Sequence, residues 1–163
     1  MKTFSVRDAD PDFIEETAIF EDVRDFRRCY ACRTCTAGCP VHRVHESYDP
    51  LRIMRMLVFG LRAELMRDEM IWLCADCYTC QENCPMGIKI TDIINHVKNL
   101  ATRQGNLPPG VSMQEKLLEE QGKIYLIDEF DNKKRIKAGL PSLSGTVEEA
   151  KNLLRGTRET DEE

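Results

Sequence analysis

The sequence predicts a mostly α chain folded round two cysteine-rich loops, and two observations carry that reading. Eight cysteines stand in two runs of identical spacing. The segments between and after these runs place apolar residues at helical intervals, opened by capping signals and closed by glycine.

The first run is Cys29-x2-Cys32-x2-Cys35-x3-Cys39-Pro40 and the second is Cys74-x2-Cys77-x2-Cys80-x3-Cys84-Pro85. Every cysteine recurs at an offset of 45, as do Thr34/Thr79 and Pro40/Pro85. In a straight helix Cys29 and Cys35 would stand about 9 Å apart along the axis, too far for one compact cluster. The chain must therefore curl so that three thiolates face a common centre. Pro40 and Pro85 fix the backbone after the fourth cysteine, and Gly38 and Asn83 before it suit a positive φ angle. This spacing is that of two-cluster bacterial ferredoxins, in which the fourth cysteine serves the other cluster. It predicts two [4Fe–4S] clusters. One is expected on Cys29, Cys32, Cys35 and Cys84, the other on Cys74, Cys77, Cys80 and Cys39. Zinc is the competing metal, but zinc modules commonly use paired C-x2-C ligands without the third cysteine or the proline.

Between the runs, Asp49 caps a helix that starts at Pro50 and stops at Gly60, with Ile53, Met54 and Leu57 facing inward. A second short helix is expected over 62–67, and Asp68 caps a third that leads into Trp72. After the second run, Thr91 or Asp92 is expected to cap a helix to about Arg103, closed by Gly105. Leu107-Pro108-Pro109-Gly110 breaks the chain. Ser112 and Glu115 form a capping-box pattern for a helix ending at Gly122. Residues 123–127 suit an extended strand, residues 146–155 a last helix, and the acidic residues 159–163 a disordered tail. This divides the chain into an N-terminal extension (1–21), a two-cluster domain (22–105) and a C-terminal partner-binding extension (106–163).

Composition narrows the function. Of 163 residues, 42% are apolar, enough for a modest core. The net charge of −5 argues against nucleic-acid binding. The longest apolar stretch, 53–61, is too short for membrane insertion, and residues 1–28 do not read as a secretory signal. A cytoplasmic location is expected, where disulfides are disfavoured. His42 and His45 read as surface or supporting groups, and Met54, Met56, Met66 and Met70 as core filling. Tyr30, Tyr78 and Trp72 are expected to shield the clusters. There is no phosphate-binding loop, and no nucleophile stands beside a base at interpretable spacing. With all eight cysteines spent, the chain is expected to move electrons and to have no catalytic residues.

The segments Cys29–Pro40, Ile71–Cys74 and Cys77–Pro85 resemble the C subunit of heterodisulfide reductase (HdrC-like), an α-helical ferredoxin. The resemblance covers about residues 22–105. It implies an electron relay between an A-type (HdrA-like) flavin and iron–sulfur subunit and a B-type (HdrB-like) CCG-domain subunit that reduces a disulfide. The same module is found in flavoprotein dehydrogenases and fumarate reductases, so a relay role in such an enzyme is the alternative, with a free ferredoxin a further one.

Overall fold

The computed structural model describes residues 5–17 and 26–160. Among these residues there are ten α-helices and two short 3-10 helices, and no strand. They fall into two compact units, Met1–Asn106 and Leu107–Glu163.

In the first unit, Asp10 turns the chain into α1 (Phe13–Thr17), whose Phe13 is fully buried. This unit therefore reaches back before residue 22. Each cysteine loop holds one short helix, α2 (Thr34–Ala37) in the first and α6 (Thr79–Glu82) in the second, and these two pack together. Helix α3 (Pro40–Val44) leaves the first loop directly through its proline. Helix α4 (Pro50–Val58) begins where the sequence places it: the Asp49 carboxylate accepts from the N–H groups of Leu51 and Arg52. Helix α5 (Arg62–Arg67) follows, and Asp68 then caps the 3-10 turn Glu69–Leu73 through Met70 N–H. Helix α7 (Ile90–Arg103) is the spine of the unit, with contacts to α1, α4, α5 and α6. Its Ile94 and Val97 are fully buried, each worth about 1.5–3 kcal/mol.

The turn between α4 and α5 requires glycine. Gly60 has a φ of +66° and its carbonyl accepts from Asp10 N–H at 2.7 Å. A Cβ there would run into the Asp10 backbone. Arg62 fastens the same corner by pairing with the carboxylates of Asp10 and Glu16 and lying over the Phe13 ring.

Helix α7 departs from expectation at its start. It begins at Ile90 with Lys89 as the capping residue, and no side chain caps it. Thr91 is turned instead toward Cys80, and Asp92 accepts from the Gln81 amide.

The second unit holds α8 (Pro109–Gln121), α9 (Glu129–Lys137) and α10 (Glu148–Thr160). Three expectations are corrected here. Helix α8 starts at Pro109 rather than at Ser112, because proline at the first position needs no N–H partner, and Ser112 lies inside the helix rather than at its cap. Residues 123–125 form bends and 126–127 are irregular, rather than a strand, with no neighbouring strand among the described residues to take up their hydrogen bonds. Helix α9 follows them, closed at its start by reciprocal bonds between Asp128 and Asp131. Gly122 ends α8 at a φ of +70°, close against Val147, and α8 packs on α10. The last helix runs to Thr160, past the expected end at 155. Of the acidic tail, residues 159 and 160 lie in α10, and 161–163 lie outside the described residues.

Candidate metal centre

The two loops have the same backbone. Ala31 and Arg33 adopt left-handed conformations, and so do Asp76 and Tyr78, their equivalents 45 residues on. These are the residues that curl each loop between its first three cysteines. Gly38 and Asn83, expected to carry the positive φ, are in ordinary negative-φ conformations (−83° and −93°). The sharp bend therefore comes earlier in each run than glycine and asparagine suggested. It falls on residue types that resist it, at about 1–2 kcal/mol each. Such strain persists where the surroundings over-determine the backbone, as at a ligand clamp.

The curl gathers the thiols. Cys29, Cys32 and Cys35 of the first run line one cavity with Cys84 of the second. On the other side, the charges of Cys74 and Cys39 both act on Cys80. Cys35 and Cys80 are buried and influence one another, so the two groups adjoin. Cys32 and Cys77 are the most exposed member of each run.

The local chemistry divides by depth. At the surface, the Thr34 hydroxyl lies 3.3 Å from Cys32 Sγ, and that of Thr79 lies 3.5 Å from Cys77 Sγ. These hydroxyls lower the pKa of both thiols. In the interior, burial pushes Cys35 up to about 11 and also raises Cys74 and Cys80. A bound metal centre favours the thiolate form of these deep cysteines against that burial.

The donor set fits a four-iron cluster. Among the described residues, no three His, Cys, Asp or Glu side chains converge to hold a single ion. A zinc ion would draw its sulfurs to about 2.3 Å from one centre. Thiols spread round a cavity suit a larger body carrying an iron at each corner.

The histidines stand apart from this set. His42 Nδ1 lies 2.7 Å from the Tyr48 carbonyl, and His45 Nδ1 lies 2.6 Å from Ser47 Oγ. The three aromatics expected beside the clusters differ in depth. Tyr30 is 61% exposed yet lines the cavity of the first run beside Cys32, Tyr78 is 42% exposed, and Trp72 packs against the core. The buried aromatic is Tyr48, which the sequence did not single out. Burial first, and Cys74 beside its hydroxyl second, raise its pKa well above the usual phenol range. Thr91, 3.4 Å from Cys80 Sγ, was likewise missed, because its position at a helix start reads as a cap.

Residues 25–88 match the 4Fe-4S dicluster domain family. The chain is 34% identical over 154 residues to the iron–sulfur C subunit of CoB–CoM heterodisulfide reductase from Methanopyrus kandleri. That match covers 90% of this chain and 80% of the relative. It is 39% identical over 138 residues to the C subunit of the ferredoxin:CoB–CoM heterodisulfide reductase of Methanosarcina mazei, covering 80% of this chain and 84% of the relative. A third relative, the C subunit of the H2:CoB–CoM heterodisulfide,ferredoxin reductase of Methanothermobacter marburgensis, is 30% identical over 79% of this chain and 73% of its own. The helical fold and paired thiol loops define an iron–sulfur electron-transfer protein with two [4Fe–4S] clusters. Within that class, the chain belongs to the family of heterodisulfide reductase C subunits.

Proposed function

We propose that the chain is the electron relay of a cytoplasmic heterodisulfide reductase complex. It passes electrons from an HdrA-like flavin and iron–sulfur subunit to an HdrB-like CCG-domain subunit. Its two clusters are held in a crossed pattern, one by Cys29, Cys32, Cys35 and Cys84, the other by Cys74, Cys77, Cys80 and Cys39. The observation that carries the crossed pattern is the cavity in which Cys84 joins the first three cysteines of the other run. No described helix is long and apolar enough to cross a membrane, in keeping with a relay that works between protein partners.

The rest of the chain serves docking. The two-cluster domain, expected over 22–105, takes in the segment round Phe13 as well, and 106–163 is the partner-binding extension. Ile124, Tyr125, Leu126, Phe130 and Ile136 are exposed in the second unit, more large apolar surface than a short segment leaves to water without a use for it.

Two measurements test this reading. In anoxically purified Cys84→Ser protein, EPR should show damage to the cluster that Cys32→Ser also perturbs. Damage to the cluster marked by Cys77→Ser would overturn the crossing. Affinity purification of the tagged chain from its host should recover a flavin protein and a CCG-domain protein. Recovery with a dicarboxylate or polyol dehydrogenase would assign the relay to another complex.

A further inference from the structure

The two halves of the centre are alike in sequence and unlike in their surroundings. Thr34 and Thr79 are equivalent, and their contacts to Cys32 and Cys77 cancel in any comparison of the two clusters. The deeper contacts do not cancel. Beside the first run, the Thr36 hydroxyl lies 4.0 Å from Cys35 Sγ but donates to the Asp49 carboxylate at 2.5 Å. Its one proton is committed away from the sulfur. Beside the second run, Thr91 is fully buried with its hydroxyl 3.4 Å from Cys80 Sγ. A cysteine that ligates iron is a thiolate and can only accept, so Thr91 donates there. Tyr48, 1% exposed, adds a buried hydroxyl on the same side, where Cys74 raises its pKa.

Charge follows the same division. An ion pair stands beside each run, and the two are oriented oppositely with respect to depth. Near the first run the sheltered member is the acid: Asp49 is 17% exposed and its partner Arg33 is 61% exposed. Near the second run the sheltered member is the base: Lys98 is 13% exposed and Asp76 is 46% exposed. Lys98 Nζ also lies 3.4 Å from the Cys74 carbonyl. The sheltered charge is less screened and dominates the local field, which is negative beside the first run and positive beside the second.

Reduction adds one electron to a cluster, and hydrogen bonds and positive charge favour the more negative state. We propose that the cluster held mainly by the second run has the higher reduction potential, and that Thr91 and Lys98 set the difference. An electron received from an upstream flavin or iron–sulfur donor then comes to rest on the second-run cluster, from which the acceptor draws it. This rests on the reading that each run holds one cluster, and not on which way the fourth ligands cross. In the crossed pattern, the deeper burial of Cys39 relative to Cys84 acts the other way. That solvation difference and the solvent-exposed Tyr30 hydroxyl at Cys32 stand against the buried Thr91, the buried Tyr48 and a sheltered cation.

The test is an EPR-monitored redox titration of the full-length chain, purified anoxically with its clusters. Cys32→Ser and Cys77→Ser identify the two steps, since neither residue is a crossing ligand. The higher step should be the one that Cys77→Ser perturbs. Thr91→Val and Lys98→Gln should each lower that step by about three- to tenfold in its one-electron equilibrium constant, tenfold being about 59 mV, and leave the other step in place. Thr91→Ser, which keeps the hydroxyl, should restore the wild-type value and so separates donation from packing. The proposal is overturned if the higher step follows Cys32→Ser, or if Thr91→Val and Thr91→Ser behave alike. The crossing is judged separately, by which step Cys84→Ser disturbs.

Discussion

Single residues act on this chain through burial. His96 sits on α7 almost out of solvent, with its Nε2 3.1 Å from the Glu16 carbonyl. Burial first, and the Arg103 charge second, lower its pKa. The folded protein therefore takes up this proton less readily than the unfolded chain. Stability is complete above pH ~6.5 and falls as the pH drops from there through the lowered folded value. His96→Gln keeps a donor for Glu16 and removes the titration. Urea midpoints at pH 7.5 and 6.0 should converge in the variant relative to wild type, and an equal loss in both would remove His96 from the account. Asp49 is a second such residue, since it caps α4 and accepts a hydrogen bond from the Thr36 hydroxyl. Asp49→Ala should cost about 1 kcal/mol from the lost cap alone, and Asp49→Asn should recover most of it, as read from urea midpoints.

At the scale of elements, glycine and left-handed residues divide the turns between them. Gly60→Ala places a methyl group against the Asp10 backbone in a left-handed conformation. The expected loss is about 2–4 kcal/mol, seen as a lower thermal midpoint with little change in the iron content of the folded fraction. The elements also show which features sequence makes legible. Helices α4 and α5 were readable to within a residue, because Asp49, Pro50 and Gly60 act on their own neighbours. The start of α7 was not, because Thr91 answers to a cysteine eleven residues back. Residues 123–127 have strand-forming side chains, yet a strand needs a partner, and partners are invisible to a local pattern. Helix α9 was missed for a related reason: Glu129–Lys137 leaves its apolar residues Phe130 and Ile136 exposed, so no inward stripe marks it. In the metal centre, the cysteine spacing announced its ligands, whereas Tyr48 and Lys98 reach it only through the folded chain.

The whole molecule joins a finished cluster unit to a second unit rich in exposed apolar side chains. Ending the chain after Asn106 should leave both clusters spectroscopically intact and abolish copurification with partners. Partner recovery at the wild-type level would transfer docking to the first unit. Electrostatics adds to this. Eight thiolates and two [4Fe–4S]2+ cores make the net charge about −9, so association with a basic docking face should weaken as salt is raised. One further consequence lies in the paired short helices. Cys35 and Cys80 are each more than nine-tenths buried where α2 meets α6, one from either run. Passage between the two sites is thus expected as a tunnelling step through buried side chains. Its rate should be indifferent to solvent viscosity, and only the encounters at either end should slow in glycerol.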